Sequence, residues 1–338
     1  MKFKTLIILT VITSLFSCEE ETNTNTPLQT EEETVETRIT PPPFNADSAL
    51  LFTQQQVDFG PRVPNSEAHA KCAEFLVNKL TRYGAEVIVQ EADAKAFNGA
   101  TLHMKNIIGQ FSPEKTKRIL LCAHWDTRPF ADKDQDKTQQ GNPIDGANDG
   151  ASGVGVLLEI ARAFQQKSPN YGVDIIFFDA EDYGALDFTM GNFQDYRSTE
   201  LTWCLGSQHW GKNPHKPNYT AKYGILLDMV GAKNAIFPKE GYSLQYASKL
   251  VNYVWNRAED LGYGNYFQKR VMQGALTDDH VFINKYAGIP TIDIIHYNLE
   301  NNGFGYFHHT HQDNMDVIDP NTLKAVGDVV LDVVYNEE

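Results

Sequence analysis

The 338-residue sequence has only four cysteines and no C-x-x-C pair, so it gives no support to a thiolate metal site. It lacks the G-x-S-x-G turn of many serine hydrolases and the H-E-x-x-H helix of thermolysin-like proteases. The glycine-rich stretch 153–156 fits neither the dinucleotide-binding fingerprint nor the Walker pattern. These absences disfavour serine hydrolases, thermolysin-like proteases and nucleotide-binding proteins.

Positive charge is also scarce. The formal net charge is -15, which argues against binding to nucleic acid or to anionic lipid headgroups. From Asn45 onward there is no composition break, Gly/Ser linker or internal repeat. We therefore expect one catalytic domain over residues 44–338, and we expect it to be a monomer.

The chain begins with Lys2 and Lys4, followed by an apolar run from Leu6 to Phe16 that is too short to span a bilayer comfortably. This pattern predicts a secretory signal peptide over residues 1–17. Ser17 directly before Cys18 resembles a bacterial lipobox, which predicts lipidation of Cys18. An ordinary signal peptide with a chance cysteine remains the alternative.

Residues 18–43 are rich in Glu, Thr, Asn and Pro and have few apolar side chains, so they predict a disordered stalk. We expect an exported lipoprotein on the periplasmic side of a membrane or on the cell surface, touching the membrane only through its lipid. Cys72, Cys122 and Cys204 are an odd number, so at least one of these three thiols should stay unpaired.

In the folded part, short apolar runs alternate with segments of helical periodicity. This alternation predicts an α/β fold, with a central mixed, mostly parallel twisted sheet flanked by helices on both faces. The predicted strands are 86–90, 118–123, 173–178, 223–229 and 290–295, and the predicted helices are 67–83, 153–166, 243–261, 279–285 and 320–335.

Polar side chains follow these apolar runs. Ligands bind beyond the carboxyl ends of parallel strands, so these side chains should collect at one edge of the sheet. Residues two apart on extended backbone point to the same side, so His124 and Asp126 can approach one site. Glu181 and Asp182 are adjacent and point apart, which allows one to bind a metal while the other acts as a base.

The order of these segments resembles the zinc aminopeptidases and the animal-type glutaminyl cyclases. The motifs that carry the resemblance are His-x-Asp at 124–126, Gly-Ala-x-Asp at 146–149, an acidic pair after a strand, a later strand Asp, and His-Thr-x-x-Asp-Asn at 309–314. The resemblance implies Asp149, Asp182 and His309 as ligands of a catalytic zinc and Glu181 as general acid/base. It implies His124 and Asp228, with Asp149 bridging, as ligands of a second zinc in two-metal aminopeptidases, and Asp126 as a further candidate beside them.

Thr277-Asp278-Asp279-His280 is similar to the cyclase pattern, in which the first Asp shares protons with the strand Asp and the catalytic Glu. Close carboxyls cannot all ionise cheaply, so a proton shared by Asp228 and Asp278 would occupy the oxygens that a second zinc needs. The resemblance thus predicts one zinc and conversion of N-terminal glutamine of peptides to pyroglutamate. A two-zinc aminopeptidase is the alternative, and an inert peptide-binding lipoprotein is a remote one.

The sequence departs from the animal cyclases at two positions. His308 stands where they carry Trp before the zinc-binding His, and Asp182 stands where Glu is usual. The Asp side chain is one methylene shorter, so the metal would sit closer to the backbone. The substrate cleft should differ beside His308.

Overall fold

The computed structural model describes residues 38–185 and 200–337. At its centre lies a six-stranded sheet, whose strands are β1 (Glu86–Lys95), β2 (Thr101–Phe111), β3 (Arg118–His124), β4 (Gly172–Phe178), β5 (Gly224–Asp228) and β8 (Thr291–Ile295). They lie in the order β1-β2-β4-β3-β5-β8. Strands β4, β3, β5 and β8 pair in parallel, whereas β1 and β2 are antiparallel additions at one edge. The predicted mixed, mostly parallel sheet is confirmed.

Helices cover both faces of the sheet. On β3, Ile119 and Leu121 point into the larger apolar core, whereas Leu120 and Cys122 point into a second core on the other face. Strands buried on both faces are continuously apolar rather than alternating, which is why these runs stand out in the sequence. The helices are α1 (Ala46–Val57), α2 (Glu67–Arg82), α3 (Ala151–Phe164), α4 (Leu205–Lys212), α5 (Gly241–Asp260), α6 (Asp279–Phe282) and α7 (Pro320–Tyr335).

Local sequence signals fix several helix ends. The side chain of Ser66 accepts a hydrogen bond from the His69 backbone N–H at the start of α2, and Asp319 caps α7, whose first residue is Pro320. A π-helical turn (Ile283–Ala287) continues α6, and a small parallel pair is formed by β6 (Phe237–Lys239) and β7 (Phe267–Val271). The predicted helices at 67–83 and 320–335 are confirmed to within a residue.

The amino-terminal boundary of the folded part lies earlier than predicted. The compact unit begins at Arg38 rather than at residue 44. The Arg38 guanidinium lies 3.0 Å from Asp332, and the backbone N–H of Ile39 donates to Asn336 at 2.7 Å. These polar contacts with α7 order residues that carry no apolar periodicity, so the pattern could not reveal them. The predicted signal peptide, Cys18 and the stalk up to residue 37 lie outside the described residues.

No helix among the described residues is long and apolar enough to cross a membrane. The four parallel strands end at the same edge of the sheet, at His124, Phe178, Asp228 and Ile295. Loops and helix starts meet at that edge, and they carry the side chains considered next.

Candidate active site

A cavity of about 250 Å³ opens at the carboxyl edge of the parallel strands. It is lined by segments that lie far apart in the sequence, between residues 133 and 309, so it exists only in the folded chain. Its lining includes Lys133, Asp149, Glu181, Asp182, Glu200, Trp203, Asp228, Met229, Asp278, Phe304, His308 and His309.

Three of these residues form what we call the metal-side cluster: Asp149, Asp182 and His309. The Nε2 atom of His309 lies 3.2 Å from Asp182 Oδ1 and 3.8 Å from Asp149 Oδ2. All three side chains are buried, and Asp182 Oδ2 has no hydrogen-bond partner among the described residues. Burial raises the pKa of Asp149 and that of Asp182 to about 6.

Backbone contacts hold the two carboxylates of this cluster in place. The Asp313 carboxylate accepts the N–H groups of Asn148 (2.7 Å) and Asp149 (3.0 Å). Gly150 follows with φ of 93°, and a Cβ there would lie 2.9 Å from both the Asp126 carbonyl oxygen and the His124 ring. Only glycine fits this turn without strain, which explains the Asp-Gly at the start of α3.

Two carboxylates and one imidazole are a donor set that suits Zn²⁺ and leaves a coordination position open. The partnerless oxygen of Asp182 and the convergence of the three side chains fit such an ion. Burial lowers the pKa of His309 well below its usual value, which keeps the imidazole neutral as ligation requires. The residues present therefore fit a zinc ion.

The sequence suggests no role for His308, yet its side chain lies beside the metal-side cluster. Its ring stacks on that of His309 with centroids 3.7 Å apart, and its Nε2 is 4.0 Å from Asp149 Oδ2. His309 has φ of 57°, so the two adjacent rings stack instead of pointing to opposite sides. The left-handed backbone that brings them together is not visible in the sequence.

The residues proposed to bind a second metal take two different positions in the structure. His124 Nε2 lies 3.1 Å from Asp149 Oδ1 and 3.2 Å from Asp228 Oδ1, so these three side chains form a second possible metal-binding group. Asp126 faces the other side of the imidazole, 3.5 Å from His124 Nδ1. Its carboxylate accepts the backbone N–H groups of Glu181 (3.1 Å) and Asp182 (3.2 Å). Asp126 thus holds the backbone of Glu181 and Asp182 in position.

Glu181, Asp228 and Asp278 form what we call the carboxyl cluster. Burial, followed by the nearby charge of Asp182, raises the pKa of Glu181 well above its usual value. Burial also raises the pKa of Asp228 and that of Asp278 to about 6, and the charge of Asp228 is the next cause at Asp278. Glu181, Asp228 and Asp278 therefore line one pocket with raised pKa values, and the proton shared by Asp228 and Asp278 stays a prediction.

The structure adds two features that the sequence did not reveal. The thiol of Cys204 donates to Glu181 Oε1 over 3.1 Å. Behind Asp278 lie His280 and Asp293, and one ligand atom of each of these three residues lies within 4.8 Å of the others. The signal for His280 was its place in the cyclase-like 277–280 motif, whereas Asp293 lies inside an apolar strand and had none.

The aromatic residues near the motifs divide between pocket and core. Trp203 and Phe304 line the cavity, and the Trp203 ring is parallel to His309 at 5.9 Å between centroids. Trp125 and Trp210 are fully buried in the core. Tyr306 is 69% exposed and lines an adjoining groove.

Solved structures similar to this chain include glutaminyl cyclases and Zn-dependent exopeptidases. The glutaminyl cyclase of Bacteroides thetaiotaomicron, bound to N-acetylhistamine, is 53% identical with a TM-score of 0.84, and the match covers 88% of this chain and 100% of that one. A Zn-dependent exopeptidase from Parabacteroides distasonis is 55% identical with a TM-score of 0.84 and the same coverage.

Curated relatives show the same division. Aminopeptidase YwaD of Bacillus subtilis is 28% identical over 85% of this chain, which spans 56% of that protein's length. The glutaminyl-peptide cyclotransferase of Boiga dendrophila is 24% identical over 85% of this chain and 83% of its own length.

The profile described as peptidase family M28 matches residues 106–334. That range begins in β2 and ends in α7, and it includes every residue of the metal-side cluster and of the carboxyl cluster. The match thus spans more than half of the chain and agrees with the two solved structures above. The chain belongs to peptidase family M28.

Proposed function

We propose that this protein is a glutaminyl-peptide cyclotransferase, which closes the N-terminal glutamine of peptides and proteins into pyroglutamate and releases ammonia. The observation that carries the proposal is the carboxyl cluster, in which Glu181 shares the pocket with Asp228 and Asp278 and burial raises the pKa of all three carboxyls. The similarity to a solved bacterial glutaminyl cyclase supports it.

Asp149, Asp182 and His309 would hold one zinc ion. When bound, zinc supplies Lewis acidity to the side-chain amide carbonyl of the substrate glutamine. The α-amine and this amide belong to the same residue, so ring closure is intramolecular and depends on how the pocket folds the glutamine side chain back. Trp203 and Phe304 line the pocket and give it apolar walls against which the glutamine side chain can fold.

Glu181 carries the proton in this proposal. As the substrate amine nitrogen bonds to the amide carbon, Glu181 accepts a proton from the amine and then delivers it to the departing amide nitrogen, which leaves as ammonia. A raised pKa suits a group that must both accept and donate a proton. Asp228 and Asp278 hold a proton beside it and prevent the accumulation of negative charge.

A two-zinc aminopeptidase is the second candidate, and one observation favours it. His124, Asp149 and Asp228 place one ligand atom each within 4.8 Å of the others, which is a possible second metal site. A proton on Asp228 would compete with that metal. The number of zinc ions per chain therefore separates the two candidates.

The cellular context is part of the proposal. We propose an exported lipoprotein that is cleaved before Cys18, carries a lipid there, and is held at a membrane by residues 18–37 as a tether. Its partners would be peptide or protein N-termini that begin with glutamine. A Cys18→Ala variant should lose lipid labelling and move from the membrane fraction to the supernatant, whereas an unchanged membrane fraction would refute the anchor.

The activity is tested with two matched peptides that begin with Gln or with Leu. The proposal predicts ammonia release and a blocked amino terminus from the Gln peptide, and no free leucine from the other. Enzyme-free peptide and chelator-treated protein are the controls, because glutamine also cyclises spontaneously. Release of free leucine without ammonia would support the aminopeptidase instead.

A further inference from the structure

Cys204 lies where its backbone and its side chain both contact Glu181. Its backbone N–H donates to the Glu181 carbonyl at 2.9 Å, and its thiol donates to Glu181 Oε1 over 3.1 Å. The residue is fully buried, and its sulfur lies within 4.8 Å of carboxylate oxygens of both Glu181 and Asp278. The thiol therefore lies behind the cavity lining, against Glu181 and Asp278, and outside the apolar clusters of the core.

The chain around Cys204 is built to hold this contact. Cys204 has φ of 55° and immediately precedes α4. The next two backbone N–H groups, of Leu205 and Gly206, donate to Ala180 and Asp179 at 3.0 Å each. A Cβ on Gly206 would lie 2.2 Å from the Asp179 carbonyl oxygen, so glycine is required for this close approach.

The state of the thiol also fits a donor. Burial, followed by the charge of Glu181, raises the pKa of Cys204 well above its usual value, so the sulfur keeps its proton. An S–H group is a weak donor, but a carboxylate acceptor strengthens the bond. A glutamate whose Oε1 is engaged in this way has Oε2 as its remaining oxygen for the substrate.

We propose that Cys204 is a positioning residue, whose thiol fixes the Glu181 carboxylate and directs its Oε2 toward the reacting nitrogen. The proposal rests on the proposed function of Glu181 as the proton carrier. It adds a residue that touches neither the substrate nor the metal and acts only through Glu181.

The kinetic test compares two substitutions at this position. Cys204→Ser keeps a donor, whereas Cys204→Ala removes it. We expect Ala to lower kcat about 10-fold with KM within about 2-fold, the loss of one hydrogen bond to a charged group. Ser should retain most of kcat, and zinc content should be unchanged in both variants.

Cys72→Ala is the matched control, because Cys72 is an equally buried thiol in α2 and should leave kcat unchanged. Full kcat in Cys204→Ala would overturn the proposal. So would a Ser variant that loses as much kcat as Ala while melting at the wild-type temperature, because the loss would then not depend on a donor.

An infrared measurement tests the contact without any turnover. The S–H stretching band of Cys204 is obtained as the difference between wild type and Cys204→Ser, and donation to a carboxylate should lower its frequency relative to the other thiols. Glu181→Ala should return the band to the frequency of an unbonded thiol. A band that does not respond to Glu181→Ala would refute the positioning contact, whereas a wild-type protein without cyclase activity would refute the proposed function instead.

Discussion

The metal-side cluster and the carboxyl cluster are built from the same acidic residue types, yet their surroundings give them different chemistry. Asp149 and Asp182 are held by backbone contacts and face the imidazole of His309, so they can share a cation with it. In the carboxyl cluster, Glu181 and Asp278 lie together with the Cys204 thiol, and the like charge of Asp228 adds to burial in raising the pKa of Asp278. An imidazole among carboxylates favours a metal, whereas carboxyls facing one another favour protons.

The strongest way to break this comparison is to remove the proton carrier. Glu181→Gln should lower kcat by about 10³-fold or more, because the amide cannot accept the amine proton, while bound zinc is retained. Steady-state kinetics and metal analysis on the same samples measure both quantities. Glu259→Gln, an exposed residue paired with Lys269, is the control. Loss of zinc in the Glu181 variant would reassign Glu181 to the metal-side cluster.

The next largest effect concerns the metal. Asp149→Ala should weaken zinc binding on the order of 10³-fold, because it removes one of three proposed ligands and leaves His309 with a single carboxylate. A competition titration with a chromophoric chelator measures this. Asp145→Ala, in the same loop, should bind zinc as wild type does. Unchanged affinity in the Asp149 variant would move the metal elsewhere.

A smaller effect is expected in the carboxyl cluster. Asp278→Asn keeps the shape but removes the shared proton, so kcat should fall about 10- to 100-fold, with zinc content unchanged. Kinetics with a Gln-initiated peptide provide the test. If this variant instead bound a second zinc ion tightly, the two clusters would not be chemically distinct.

The resemblance to zinc aminopeptidases and glutaminyl cyclases implied the metal-side residues and the carboxyl cluster, and all six residues line one cavity in the structure. The sequence could not predict His308 or Cys204. Their positions depend on left-handed backbone at His309 and at Cys204, and no local residue preference signals such a conformation there. Strand β2 was missed for a related reason. Lys105, Asn106 and Gln110 interrupt its apolar pattern, and Asn106 and Gln110 are buried by tertiary hydrogen bonds.

The smallest effect concerns the stability of the fold. It contrasts the raised pKa of Asp278 with the lowered pKa of Glu240. Glu240 lies behind Asp278. Burial alone would raise its pKa, but His280 and the backbone N–H groups of Ser243 and Leu276 lower it to about 2. A lowered carboxyl pKa contributes stability above its unfolded value, near 4.5, and that contribution is lost as the pH falls toward 2.

Glu240→Gln should therefore destabilise the fold by on the order of 3 kcal/mol at pH 7, with the difference from wild type shrinking below pH 4.5. Denaturant unfolding at pH 7, 5 and 3.5 measures this. If the difference in unfolding free energy stayed constant with pH, the pKa of Glu240 would not be lowered by its hydrogen-bond donors.

The most direct test of the central claim is anomalous diffraction at the zinc absorption edge from crystals grown with excess zinc. The account predicts one strong peak, within bonding distance of Asp149, Asp182 and His309, and none between His124 and Asp228. Two peaks of similar height, the second coordinated by His124 and Asp228, would contradict it.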